Sequence, residues 1–375
     1  MNVLVTGGAG FIGTHLVRRL LRESCKVTIL DNFSPQIHNG NTSLPIDLAS
    51  DVKLIVGDVM DPGIWGEVLQ GQDVVVHFAA ETGTGQSMYQ VTQYEGTNIR
   101  GTVNLIEGIM NNPRNSIGRI VVASSRAVYG EGAYLCETHG QVFPRSRFKQ
   151  DMLAGIYEPR CPHCGNTCLP RPTNEDAPFR PCSFYGLTKQ VQEQMALMYG
   201  SSLGISAFAL RYQNVYGPGQ SLRNPYTGIL AIFSTQAMLN RPIQIFEDGL
   251  ESRDFVYVED VVDATWRCIS TDGTENCVLN VGSGKATTVL QVVEAIKGFF
   301  RSDSAVTVTG AFREGDIRHN VAAIEAAHRT VGFVPAWEFG RGVKEFLSWA
   351  QEETPTSSNY EASLNEMRSK GLLHA

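Results

Sequence analysis

Val3-Leu4-Val5-Thr6-Gly7-Gly8-Ala9-Gly10-Phe11-Ile12-Gly13 is the stretch whose reading decides the fold. A short apolar run leads into clustered glycines and then into a pattern of helical period. Glycine suits this junction because a tight turn, and close approach of the backbone to a pyrophosphate, both exclude a side chain. The helix that opens behind it presents free N–H groups and a positive dipole end to phosphate. Gly7, Gly10, Phe11, Ile12 and Gly13 are therefore candidate cofactor contacts. Asp31, followed by Asn32, ends the next apolar run. A carboxylate there accepts hydrogen bonds from both hydroxyls of an adenosine ribose and repels a 2′-phosphate, so NAD is expected rather than NADP. Asp58-Val59, after the third run, reads as a contact to the adenine edge.

Working outward, residues 3–6, 26–30, 53–56, 74–78 and 119–123 read as buried strands, with helical patterns between them at 11–22 and 94–110. Repeated β-α units of this kind predict an α/β protein with a Rossmann-type doubly wound parallel sheet. A further helix is expected over 184–199 and a strand over 205–211. Residues 1–130 and 183–211 are assigned to the NAD-binding domain. Residues 212–350 form a smaller mixed α/β substrate-binding lobe, with some segments returning to the first domain. Residues 131–182 are a Cys-rich insertion. The stretch 34–50 is expected as an exposed loop, and 351–375 as a polar, loosely docked tail.

Composition narrows the function. The chain has 375 residues and a formal net charge of −7, with no basic excess to suggest a nucleic-acid partner. No apolar run reaches the roughly 18 residues of a membrane span, and no leader pattern precedes the first strand. A cytoplasmic enzyme is expected. There are eight cysteines, five of them between 136 and 182. In a reducing compartment paired cysteines suggest metal ligands before disulfides.

Tyr185 and Lys189 lie four apart on a helical pattern and so share a face. A free phenol has a pKa of about 10. A neighbouring ammonium and a nicotinamide cation are expected to lower it far enough for the phenolate to act as a base. Ser125 follows the fifth strand at the sheet's C-terminal edge, where ligands bind in such folds. Ser125, Tyr185 and Lys189 are the candidate catalytic group. His77, on an apolar strand, is expected to be structural.

These motifs, together with His77-Phe78-Ala79-Ala80, Asn98, Ser124–Gly130, Arg211–Gly217, Arg253–Asp260 and Arg313–Asp316, make the chain resemble the extended short-chain dehydrogenase/reductases, in particular the nucleoside-diphosphate-sugar epimerases and dehydratases. The resemblance implies that Ala79, Ala80, Asn98, Tyr185 and Lys189 also meet the cofactor. It implies a nucleoside-diphosphate-sugar substrate, with Asn214, Arg253 and Arg313 on the diphosphate and Asp316 on the nucleoside. Thr84, Gln86 and Ser125 would line the sugar pocket. It further implies a homodimer built on the helices at 94–110 and 184–199. Dehydratases of the family carry Asp-Glu after the catalytic Ser or Thr. Arg126-Ala127 stands there instead, and neither residue can exchange the protons of an elimination. Epimerisation needs only the triad and tightly held NAD. The signature 124–132, with Glu81–Met88 and Asn224-Pro225-Tyr226-Thr227-Gly228, looks most like the dTDP-L-rhamnose 4-epimerase subfamily, which forms dTDP-6-deoxy-L-talose for polysaccharide biosynthesis. A 4-ketosugar reductase, a UDP-sugar 4-epimerase and an inert NAD-binding protein remain as alternatives.

Cys136-x-x-His139-Gly140 and Cys161-x-x-Cys164-Gly165 form two knuckle-like pairs. Three thiolates and one imidazole make a closed structural zinc site without a position for catalysis. Cys168 is a spare ligand in place of His139, and free thiols or a disulfide are the alternatives.

Overall fold

Val3, Leu4 and Val5 are fully buried because their strand runs through the middle of a sheet covered on both faces. The structure is a computed structural model and describes residues 1–112, 116–224, 226, 228–353 and 360–374. One sheet contains β1 (Asn2–Thr6), β2 (Lys26–Asp31), β3 (Val52–Val56), β4 (Val74–His77), β5 (Arg119–Ser125), β6 (Ser206–Tyr212) and β7 (Cys277–Val281). Their order is β7-β6-β5-β4-β1-β2-β3, with every neighbouring pair parallel. Strand order reverses between β1 and β4, and a crevice opens above that point.

The pleat sorts the side chains. Val3 and Val5 join Leu16 and Leu20 of α1 (Phe11–Arg22) in one apolar layer. Leu4 points the other way, into a layer with Leu105 and Ile109 of α2 (Gly101–Met110). The helix expected over 94–110 is built of a turn at Val91–Tyr94, a π-helical stretch at Glu95–Arg100, and α2. The helix expected from 184 is α3 (Phe184–Leu203), and the loop at 34–50 carries one helical turn, Pro35–His38.

A second core lies beyond the sheet, around Tyr216, Phe233, Phe255, Val292 and Phe346. The tail belongs to this core, contrary to the expectation of loose docking. Tyr360, Leu364 and Met367 of α4 (Tyr360–Ser369) are buried in it, and Leu373 pairs with Arg313 in a short antiparallel ladder. Most of its polar residues face outward, with only the small Ser363 among the buried ones, so average composition concealed an amphipathic helix. Residues 354–359 lie outside the described residues.

The insertion folds around a small three-stranded sheet of Tyr134–Cys136, Gly140–Val142 and Leu169–Pro170. Its own core is small: Tyr134, Cys136, Val142, Cys161 and Cys168.

Candidate active site

The glycine loop is packed too tightly for any side chain at two positions. A Cβ on Gly7, where φ is +69°, would press on the Phe78–Ala79 backbone, and one on Gly13 would overlap the Gly7 carbonyl. The loop forms one wall of a cavity of about 1000 Å³. Gly7, Gly10, Phe11, Ile12, Gly13, Asp31, Asn32, Val59, Ala79 and Ala80 line it at one end, and Ser125, Tyr185 and Lys189 at the other. Asp31 accepts the Ala9 N–H (3.0 Å) and the Phe33 N–H (2.9 Å), which fixes its carboxylate beside the loop. Asp58 accepts from Asn32 Nδ2 (2.9 Å) and from the Met60 N–H (2.8 Å), so it orients Asn32 rather than lining the cavity. These residues fit NAD: a side-chain-free cradle, first-turn N–H groups without intrahelical acceptors, and a carboxylate at the end of β2. Gly13→Ala is expected to cost ~1–3 kcal/mol through overpacking and to yield protein without bound dinucleotide, measured as nucleotide released by acid.

Ser125 is the last residue of β5, and Tyr185 stands in the first turn of α3. Ser183 caps that helix by accepting the Gly186 N–H (3.1 Å), and the Tyr185 N–H donates to Ser87 Oγ (3.0 Å). The Tyr185 and Ser125 side chains line the same end of the cavity. Burial pushes the Tyr185 phenol upward, while the neighbouring Ser125 hydroxyl and the charge of Arg126 pull it down. Lys189 differs from expectation. Its Nζ donates to the Ala123 carbonyl (2.8 Å) and to Gln192 Oε1 (2.7 Å), and burial brings its ammonium down to about 7. It lines the same cavity as Tyr185, but the cation acting on the phenol here is Arg126.

Glu193 was missed by sequence reasoning. It lies on the helix face of Tyr185 and Lys189, at a further spacing of four, and that periodicity was its signal. Ser124 Oγ donates to its Oε2 (2.5 Å), and Arg211 binds both its oxygens (2.6 and 3.0 Å). This buried pair joins β5, β6 and α3, and so holds Ser125 against Tyr185. His77 is structural, as expected. Its ring nitrogens bond Thr6 (2.8 Å) and Thr102 (3.2 Å), and burial, then the Lys189 charge, hold its pKa near 3.

Two of the expected contact residues, Asn98 and Gln86, are not among the residues that line the cavity. Asn98 is fully buried, with its amide spent on the Glu81 backbone and on Thr188 Oγ1, so it positions the loop at Glu81. Gln86 is buried as well, paired with Gln36 and accepting from Tyr94. Glu81, Thr82, Gly83 and Tyr226 also line the cavity. Pro225 and Thr227 of the quoted signature lie outside the described residues.

Arg253 also departs from expectation. Its Nη1 donates to the Ser252 and Arg318 carbonyls (2.9 and 3.0 Å), and its Nη2 to Asp316 Oδ1 (2.8 Å) and the Ile317 carbonyl (2.7 Å). Pairing of Ser252–Tyr257 with His319–Asn320 places residues 316–318 against this guanidinium. Arg313 stacks on Phe246 (4.8 Å), and its Nε is buried without a hydrogen-bond partner among the described residues. Asn214 Oδ1 accepts from Arg126 Nε (2.9 Å), and Thr84 shares a small cavity with Arg126 and Asp316. Burial raises the Asp316 carboxyl, but Arg253, Arg313, Arg126 and Arg147 outweigh it and hold the group at about 2.

The insertion brings Cys136, His139, Cys161 and Cys164 together, with all four ligand atoms within 4.8 Å of one another. Cys136 Sγ is 3.6 Å from Cys164 Sγ and 3.6 Å from His139 Nδ1, and Cys161 Sγ is 3.6 Å from that nitrogen. The His163 N–H points at Cys161 Sγ (3.5 Å), and Gly140 and Gly165 take positive φ behind their pairs. All eight cysteines are free thiols. Cys168 stays outside the four-atom group, with its thiol toward the Asn166 carbonyl (3.6 Å). Arg147 ties the lobe to the substrate end. It binds Glu131 (3.2 Å), Glu247 (2.8 Å) and the Asp316 carbonyl (3.1 Å).

Similarities to known proteins agree with this geometry. The chain is 37% identical over 354 residues to the dTDP-L-rhamnose 4-epimerase of Burkholderia thailandensis, covering 94% of this chain and 95% of that one. It is 30% identical to a putative UDP-glucose 4-epimerase of Methanocaldococcus jannaschii, covering 94% and 100%. Among solved structures, MoeE5 in complex with UDP-glucuronic acid and NAD superposes with a TM-score of 0.75 at 28% identity, covering 94% and 99%. The UDP-N-acetylglucosamine 4-epimerase of Methanobrevibacter ruminantium gives 0.74 at 30% identity, with the same coverage. With residues 3–150 and 163–282 matching its pattern, the chain belongs to the NAD dependent epimerase/dehydratase family.

Proposed function

We propose that this NAD-dependent nucleotide-sugar 4-epimerase interconverts dTDP-L-rhamnose and dTDP-6-deoxy-L-talose. The observation that carries the substrate is the 37% identity, over nearly the whole of both chains, to a dTDP-L-rhamnose 4-epimerase. In the reaction, Tyr185 as phenolate takes the proton of the sugar 4-hydroxyl, and Ser125 orients that hydroxyl. The glycine loop and Asp31 would hold NAD, which would supply a hydride acceptor and donor at C4 with no net consumption of cofactor. Between the two transfers the 4-keto sugar turns while its diphosphate stays held. Tyr185 then gives its proton back to the new 4-oxygen. Arg126 follows Ser125 where an eliminating enzyme needs an acid pair, which supports epimerisation over dehydration.

A UDP-sugar is the second reading, favoured by relatives solved with UDP-sugars. Incubation with a panel of dTDP-, UDP- and GDP-sugars, with products identified by NMR, separates the two. We expect equilibration of dTDP-L-rhamnose without added NAD. Turnover of UDP-sugars alone would overturn the substrate assignment, and stoichiometric consumption of reduced cofactor would make the protein a ketoreductase.

The four-atom cluster of the insertion suits structural zinc. Zn–S bonds of about 2.3 Å and a Zn–N bond of about 2.05 Å, arranged tetrahedrally, require S···S near 3.8 Å and S···N near 3.6 Å. The three 3.6 Å separations agree with this. A lobe with five buried core residues needs such a staple. Reduced thiolate ligands suit a cytoplasmic location, and no helix among the described residues is long and apolar enough to cross a membrane.

A homodimer is part of the same reading. Val103 and Met110 of α2, and Leu187 and Met198 of α3, are large apolar side chains left exposed on two helices that pack side by side. A second copy presenting the same pair would cover them in a four-helix arrangement. Light scattering that gives the monomer mass at micromolar concentration would remove this assignment.

A further inference from the structure

The chemistry above uses the charge of Arg126 but leaves its terminal donors without a role. This residue follows Ser125 directly and caps no helix. Its Nε donates to Asn214 Oδ1 at 2.9 Å, and among the described residues its other two nitrogens have no hydrogen-bond partner. It lines a small cavity with Thr84, Ser183 and Asp316. Arg253 opposes it as a like charge, and Asp316 is the carboxylate attracting it. That carboxylate is already bonded to Arg253 at 2.8 Å and also feels Arg313 and Arg147. Several guanidinium groups thus share one carboxylate in a largely desolvated corner. Burial and the Arg253 charge pull Arg126 itself down to about 10.

A half-buried cation whose terminal donors are unused favours binding of an anion. Arg253 has its terminal donors engaged by the protein, whereas Arg126 has donors to offer. A guanidinium can bind a phosphate through two parallel N–H bonds. Asn214 holds the Arg126 fork by its Nε, leaving the other nitrogens for the ligand.

We infer that Arg126 is a substrate-binding and specificity-determining residue, whose guanidinium takes the sugar-proximal phosphate of the nucleoside diphosphate beside the catalytic Ser125–Tyr185 pair. The inference rests on the nucleotide-sugar reading above, but its test requires no turnover. The wild type, Arg126→Ala and Arg126→Lys are titrated calorimetrically with dTDP and dTMP, or with UDP and UMP if the wild type prefers uridine. Retained NAD and an unchanged melting temperature establish that each variant is folded.

Arg126→Ala is expected to weaken diphosphate binding on the order of ten- to a hundredfold, as befits a lost hydrogen bond to a charged group, and to leave monophosphate affinity within about twofold. Arg126→Lys should recover part of the loss. Equal losses for diphosphate and monophosphate, or no loss for either, would overturn the assignment. A wild type that binds the diphosphate but epimerises no sugar would instead count against the reaction and leave Arg126 in place. Should Arg126→Ala fail to fold, Arg126→Lys compared on the same two ligands decides alone. A loss confined to the diphosphate supports the role, and unchanged or equally weakened binding overturns it.

Discussion

Tyr185→Phe is expected to lower kcat by about 10³-fold, which corresponds to ~4 kcal/mol of barrier, while nucleotide-sugar affinity changes only a few-fold. The substitution removes one oxygen and leaves the ring in place against Tyr94, whose centroid lies 6.4 Å away. The helix cap at Ser183 and the Tyr185 N–H bond to Ser87 involve no phenol and should survive. The loss is therefore one of proton transfer. Burial holds the phenol above its ordinary value, and Ser125 with Arg126 opposes that shift. A base must be deprotonated to act, so wild-type activity should rise with pH toward the phenol pKa, and the variant should lack this limb. Steady-state kinetics across pH, with bound NAD measured in the same preparations, makes the test. Full activity in Tyr185→Phe would exclude this residue as the base.

Cys161→Ala, or a strong chelator, should have the second largest effect, and at a distance. The wild type is expected to carry one zinc per chain by elemental analysis, and the variant much less. Structural zinc supplies on the order of 10–16 kcal/mol of apparent binding free energy to small domains, far beyond what five buried core residues provide. Loss of the lobe's fold would free Arg147, which lies buried between Glu131 and Glu247. Removing one partner of such a buried pair costs ~3–5 kcal/mol. Arg147 also holds the Asp316 carbonyl, and Glu158 holds Arg318 (2.7 Å), so the segment carrying Asp316 should loosen. KM for the nucleotide-sugar should then rise tenfold or more, while NAD stays bound, because the glycine loop is held by the Phe78–Ala79 backbone and by Asp31. A wild type without zinc that folds normally in chelator would refute the metal site. Unchanged KM in a zinc-free variant would refute its link to the substrate end.

The α/β architecture was legible in the sequence because each cue is local. Apolar strand runs, glycines with positive φ and helical spacing act within a few residues of one another. The limits of β1, β2 and α1 fall within a residue of the expected ones. Tyr185 and Ser125 stood out for the same reason: one sits two residues past a helix cap, the other at a strand end. The two Cys/His pairs carry their turn glycines with them. The amphipathic face of the tail was obscured by polar composition, and it is defined by the core it packs against.

Residue identity and spacing alone determined which side chains can do chemistry here: a glycine cradle, a Ser–Tyr pair and a cluster of three cysteines and one histidine. Tertiary structure alone decided where each side chain spends its hydrogen bonds. It turned Lys189 toward Ala123 and Gln192, engaged Arg253 with residues 316–318, and buried Asn98 and Gln86 beneath the loops they support. It also brought Arg126 to Asn214, 88 positions away along the chain. The physical reason is range. Turns and caps are set by neighbouring residues, whereas desolvation and charge pairing depend on segments that meet only when the sheet closes.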